Sequence, residues 1–186
     1  MKFLFDLGGV FFDWDPNYFF KDIFEKDDER KYFLTEVCND EWNIQQDAGR
    51  TIKEAESVLI PKFPQYEEEI KMYYSNHRRM IKGTFTSSIK VLDKLKKQNY
   101  ECYVLSNWSA ETFVGMTDDY PFLQSFNGLL ISGEDNMMKP NAEIYELAIA
   151  RFNLIPQETV FIDDKLENIE AAKKLKLKTI HLVDPN

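Results

Sequence analysis

The gap between the first two apolar runs of this chain constrains its fold more than any other feature. Five short runs read as strands: Lys2–Phe5, Glu101–Leu105, Gly128–Ile131, Thr159–Ile162 and Thr179–Val183. Between the later ones, apolar residues recur at helical steps: Ile89/Leu92/Leu95, Ile144/Leu147/Ala148/Phe152 and Leu166/Ile169/Ala172. Strands alternating with helices predict right-handed crossovers and a parallel, Rossmann-like α/β sheet with helices on both faces. A crossover needs only about a dozen residues, yet about ninety separate the first two runs. The excess has its own helical signals. Asp15-Pro16 reads as an N-cap with proline at the first helical position, before Phe19/Phe20/Ile23/Phe24. Thr51 and Glu54 have capping-box spacing ahead of Ile52/Ala55/Leu59, and Pro61 ends that helix. Tyr66/Ile70/Tyr73/His77/Met80 continues the pattern. The expected organisation is core over 1–13, a small α-helical cap inserted at 14–83, and core over 84–186.

Composition narrows the function classes. A chain of 186 residues suits one domain or a domain with an insert. Its net charge of −9 disfavours nucleic acid or an anionic membrane as partner. It equally disfavours unaided capture of an anionic substrate, so such a site needs local positive charge or a cation. Cys38 and Cys102 have no metal-ligand spacing and suit a reducing compartment. Asp6 interrupts the N-terminal apolar run, which argues against a signal peptide, and no run approaches the ~20 residues of a membrane span. The expectation is a soluble, cytoplasmic protein; the sequence assigns no oligomeric state.

Ligands of parallel sheets sit beyond the carboxyl ends of the strands, and four features fall there. Asp6 follows the first strand, before Gly8-Gly9; Ser106-Asn107 follows the second; Lys139 precedes Pro140 and a helix start near Asn141; Asp163-Asp164 follows the fourth. Each has an ordinary alternative: turn-former, strand-end hydroxyl, surface lysine, solvated turn. A shared site explains all four at once. The chemistry suits phosphoryl transfer. Three carboxylates near one point repel, at about 4 kcal/mol per ionised pair 4 Å apart in an effective dielectric of ~20. A divalent cation removes that conflict, and oxygen donors without His or Cys favour Mg²⁺. Asp6 is then the candidate nucleophile, with Ser106, backbone N–H groups and Lys139 holding phosphate oxygens.

The stretches "FDLGGV", "VLSN", "MKPNAEIY" and "VFIDDKLENIEAA" resemble, in order, the four motifs of the haloacid dehalogenase-like superfamily. The match is nearest to its small sugar-phosphate phosphatases and covers Met1–Val10 and about Val104–Asn186; "EWNIQQDAGRTIKEA" matches more loosely. The resemblance implies Asp6 as nucleophile, Ser106 as phosphate-binding hydroxyl and Lys139 as phosphate lysine. It implies metal ligation by Asp6, the Gly8 carbonyl and Asp163, with Asp164 assisting. The implied activity is Mg²⁺-dependent hydrolysis of a small phosphorylated metabolite, through an aspartyl-phosphate. Asn107, Trp108 and Arg50 are further candidates for substrate contact: Trp108 as a stacking surface or as packing, Arg50 as an anion partner or as a surface residue.

One departure stands out. Most family phosphatases carry a second aspartate two residues after the nucleophile, to protonate the leaving oxygen; this chain has Gly8 there. A general acid is worth roughly 10²–10⁴-fold. Asp13, shortly after the Gly-Gly turn, is a candidate substitute. A 2-haloacid dehalogenase also lacks the second aspartate, but attacks carbon without a metal and tends to lack the paired acidic motif. A catalytically impaired ligand-binding descendant is a further alternative. A two-component receiver domain places its acidic pair first, the reverse of this order. His77 and His181 both read as structural.

Overall fold

The computed structural model describes residues 1–185. Seven strands form in chain order: β1 (Lys2–Phe5), β2 (Phe12–Trp14), β3 (Ile81–Thr84), β4 (Glu101–Ser106), β5 (Gly128–Ile131), β6 (Thr159–Asp163) and β7 (Lys178–His181). Five of them make one sheet in the order β5-β4-β1-β6-β7, and every pairing in it is parallel. The predicted α/β class is therefore the observed one. Side chains alternate along the central strand: Phe3 and Phe5 enter a cluster with Leu92 of the Thr86–Lys97 helix, on one face. Leu4 enters the opposite cluster, with Ile144 and Ala148 of the Ala142–Arg151 helix and Ile169 of the Leu166–Lys174 helix. With its strand neighbours on both sides and helices above and below, β1 is fully enclosed, which is why the run reads KFLF without polar alternation.

Residues between β2 and β3 are helical, and they bury a separate aromatic cluster that includes Phe19, Phe20, Phe33, Trp42 and Tyr73. The Ile52–Leu59 helix opens on the expected Thr51/Glu54 capping box. The first short helix, Asn17–Phe20, instead has Pro16 at its N-cap and stops before Ile23 and Phe24, while Asp15 accepts the Asn17 N–H at 2.8 Å ahead of it. Two further details differ from expectation. Helical pattern was expected from Trp14 to Gly83, but both ends are extended: β2 and β3 pair antiparallel, so the chain leaves the core and returns through one two-stranded ribbon. The last helix ends at Ser75, and His77 lies in a following 3₁₀ turn, His77–Met80. Among the described residues, no helix is long and apolar enough to cross a membrane. Cys38 and Cys102 are free and buried.

His77 packs between Trp14 and Trp108, at ring-centroid distances of 6.0 and 5.5 Å. Its Nδ1 is buried without a partner among the described residues. Desolvation, aided by Arg78, pushes its pKa down to about 4 from 6.5. The folded state thus binds this proton less readily than the unfolded chain, so His77 opposes folding once it charges. Its neutral form costs nothing above pH 6.5, and stability is lost as pH falls from 6.5 towards 4, by about 3 kcal/mol. Urea unfolding should show His77→Phe losing less stability than the parent across that window. Parallel curves for the two proteins would refute the assignment.

Candidate active site

The site is built at the carboxyl ends of β1, β4 and β6, with one contribution from the loop after β5. At β1 the sheet ladder runs one residue further, because the Asp6 N–H donates to the Ile162 carbonyl at 2.9 Å. The chain then turns back on itself, and the Leu7 carbonyl accepts from the N–H groups of Val10, Phe11 and Phe12 at 3.3, 2.8 and 3.0 Å. Gly9 makes this turn with φ +67°, and a Cβ there would collide with the Asp164 carboxylate. Only glycine allows both the backbone angle and that approach. A Cβ at Gly8, in contrast, would meet nothing within 4 Å.

Asp6 is buried, with 7% of its surface exposed. Its Oδ1 accepts from three donors: the Leu7 N–H at 2.7 Å, the Ser106 hydroxyl at 2.7 Å and the Lys139 ammonium at 3.0 Å. Among the described residues none donates to Oδ2, which leaves that oxygen open to an incoming group. Lys139 is fully buried and also donates to Asp163 Oδ2 at 2.7 Å. Asp163 is held from behind by the Lys165 N–H at 2.8 Å and by the Asn168 amide, 3.0 Å from each carboxylate oxygen. Desolvation is the largest influence on Asp6 and, with repulsion from Asp163, outweighs Lys139 and Ser106, pushing the pKa up to about 7. Burial alone would lower the Lys139 ammonium, but the attraction of Asp6 and Asp163 holds it above its ordinary value.

Asp6, Asp163 and Asp164 bring carboxylate oxygens within 4.8 Å of one another. Asp164 Oδ1 is buried with no partner among the described residues, and burial followed by the charge of Asp163 raises its pKa. A single lysine does not balance three carboxylates. An all-oxygen donor set with one orphaned oxygen fits a hard divalent cation.

The five principal residues expected from sequence (Asp6, Ser106, Lys139, Asp163 and Asp164) thus meet at one point. Of the other four candidates, Gly8 lies in the turn after Asp6, bridged to Phe12, and three face elsewhere. Asn107 clamps the peptide of Lys139, donating to its carbonyl and accepting from its N–H, both at 2.9 Å. Trp108 is buried, donates its indole N–H to Thr112 at 3.0 Å and packs on Phe12 and Phe113. Arg50 folds back on its own helix, donating to Gln46 at 2.6 Å and to the Trp42 carbonyl at 2.9 Å. Asp13 accepts from the Tyr18 hydroxyl at 2.7 Å and lies 3.9 Å from Lys82, so its two oxygens are engaged on the ribbon side.

One residue went unrecognised in the sequence. Asp47, the last residue of the Asp40–Asp47 helix, has its carbonyl held by Ser132 and its carboxyl within the electrostatic influence of Asp6, Lys139 and Lys165. Burial is the largest influence on it and, with the Asp6 charge, outweighs Lys165, the Ser109 N–H and Lys139, which favour its charged form; the net pKa is pushed up to about 7. Those influences come from the ends of β1, β4 and β6 and from the loop after β5. The only advance signal was its place inside "EWNIQQDAGRTIKEA".

A family model described as haloacid dehalogenase-like hydrolase matches residues 4–182. The chain belongs to the haloacid dehalogenase-like hydrolases. This hydrolase is 27% identical to a sesquiterpene phosphatase of Aspergillus oryzae, over 97% of its own length and 89% of the relative's. It is 20% identical to a phosphorylated carbohydrates phosphatase of Thermotoga maritima, over 96% and 82% of the two chains. Among solved structures, a HAD (haloacid dehalogenase) family enzyme of Bacteroides thetaiotaomicron in a magnesium complex superposes with a TM-score of 0.73 at 25% identity. That match covers 96% of this chain and 91% of the other.

Proposed function

We propose that this hydrolase is a Mg²⁺-dependent phosphatase of small phosphate esters, sugar phosphates being the first class to test. The observation that carries the reading is the fully buried Lys139 between Asp6 and Asp163, beside a carboxylate whose Oδ1 is orphaned. Phosphatase relatives and a magnesium-bound structural neighbour support it.

Asp6 is the nucleophile. Its Oδ2 attacks phosphorus, the bond to the leaving oxygen breaks, and an aspartyl-phosphate forms that water then hydrolyses. The donors that now crowd Asp6 Oδ1 sit where the transferred phosphoryl group arrives. Ser106 and Lys139 hold its oxygens as charge shifts from the nucleophile to the leaving group. Asn107 fixes the lysine through its backbone, and Asn168 fixes Asp163. Asp6, the Gly8 carbonyl, Asp163 and Asp164 would hold Mg²⁺, which supplies charge neutralisation at the phosphate when bound. The helical segment over 14–83 serves as a cap that excludes water from the site.

Phosphate release from a panel of sugar phosphates, with and without chelator, tests the reading. Activity should vanish in chelator and return with added Mg²⁺. Rates indifferent to chelator would remove the metal from the mechanism, and chloride release from 2-chloropropionate would replace the phosphatase with a dehalogenase.

A further inference from the structure

We propose that Asp47 is the general acid of this enzyme, delivering a proton from the helical segment to the leaving oxygen. The inference rests on the phosphatase reading above. Gly8 stands where a proton donor is expected, and Asp13, the nearby carboxylate in sequence, is turned to Tyr18 and Lys82. The need for a donor therefore has to be met from outside the β1 loop.

Asp47 is placed for it. The Ser132 hydroxyl donates to the Asp47 carbonyl at 2.5 Å, fixing this helix end to the segment that leads from β5 to Lys139. Two residues on, Gly49 adopts φ +99° and lies so close to Asn136 that a Cβ would collide with it. The turn after Asp47 is thereby seated on the Ser132–Asp135 helix. The charged and polar groups that act on the carboxyl are Asp6, Lys139, Lys165 and the Ser109 N–H. It has no salt-bridge partner among the described residues, unlike Asp6 and Asp163, which share Lys139. Burial, the largest influence on this carboxyl, pushes its pKa up to about 7 against the pull of Lys165, the range in which a general acid works best.

The step balances simply. As Asp6 Oδ2 bonds to phosphorus and the bond to the leaving oxygen breaks, the Asp47 carboxyl proton passes to that oxygen, giving an alcohol and a carboxylate. The attacking water of the second half-reaction returns a proton to Asp47 as it displaces Asp6 from phosphorus. This gives the helical segment a chemical role as well as a steric one.

The test compares phosphomonoesters of rising leaving-group pKa, from 4-nitrophenyl phosphate to an alkyl phosphate, hydrolysed by the Mg²⁺-loaded enzyme. Asp47→Asn should lose about 10²–10⁴-fold on the alkyl ester and only a few-fold on the nitrophenyl ester, whose leaving group needs no proton. Asp47→Glu, which keeps an acid, should retain the shallow dependence of the parent. Adding Gly8→Asp to Asp47→Asn should recover alkyl-ester turnover, since a side chain at Gly8 has open space. Equal losses on all esters, or no loss on the alkyl ester, would overturn the inference and leave the phosphatase reading standing. A parent enzyme that releases no phosphate from any ester would overturn both.

Discussion

Asp6→Asn is expected to be catalytically dead and at least as stable as the parent. Loss of a covalent nucleophile costs on the order of 10⁶ in kcat in well-studied hydrolases, and phosphate release here should fall below detection or to background hydrolysis. Stability should move the other way. Asparagine keeps the oxygen that accepts from Leu7, Ser106 and Lys139 but carries no charge to desolvate. In the metal-free protein, burial pushes Asp6 to about 7 from 3.8. A raised carboxyl pKa means the folded state holds the proton more tightly, so ionisation of Asp6 weakens folding as pH rises from 4 to 7 and the penalty is complete above 7. Denaturation in chelator should therefore show the variant gaining on the parent across that window, then running parallel. Turnover within tenfold of the parent would take Asp6 out of the chemistry.

Replacing Lys139 by methionine should damage both fold and function. Methionine fills a similar volume but leaves Asp6 and Asp163 facing each other without the cation between them. Removing one partner of a buried ion pair typically costs 3–5 kcal/mol, and losing a donor to a developing oxyanion about 10²–10³ in kcat. The stability loss should be greatest at pH 8 in chelator and shrink by pH 5, because Asp6, whose pKa burial pushes up to about 7, then takes up a proton. A destabilisation of the same size at both pH values would mean that lost packing, rather than electrostatics, is responsible. Saturating Mg²⁺ should restore part of the stability, and little of the rate.

The sheet and the five convergent residues were legible in the sequence because each is local. An enclosed strand announces itself as an unbroken apolar run, and a site residue follows it directly. Capping residues were equally readable, Thr51 with Glu54 being an interaction across three residues. What escaped depended on contacts distant in sequence. The β2–β3 ribbon pairs Phe12 with Thr84, and two such short strands have no periodicity of their own. Asn107 looks like a ligand-binding residue until the fold brings the Lys139 peptide beside it. Arg50 looks free until its helix end offers the Gln46 side-chain oxygen four residues back and the Trp42 carbonyl eight back. Asp47 sits on a helix whose apolar pattern does not mark its last carboxyl, and its place in a loosely matching stretch was the one sign that it belongs to a site assembled elsewhere.

The paired crossing through β2 and β3 has a mechanical corollary. Because the outgoing and returning chain run side by side, the aromatic bundle hangs from the core along a single edge, as a door hangs from its frame. Its far side is latched by few polar contacts, among them Ser132 to the Asp47 carbonyl and the Ile52 N–H to Glu111. Swinging the bundle away would part those latches, leave the parallel sheet intact, and carry Asp47 out of reach of the nucleophile in the same stroke.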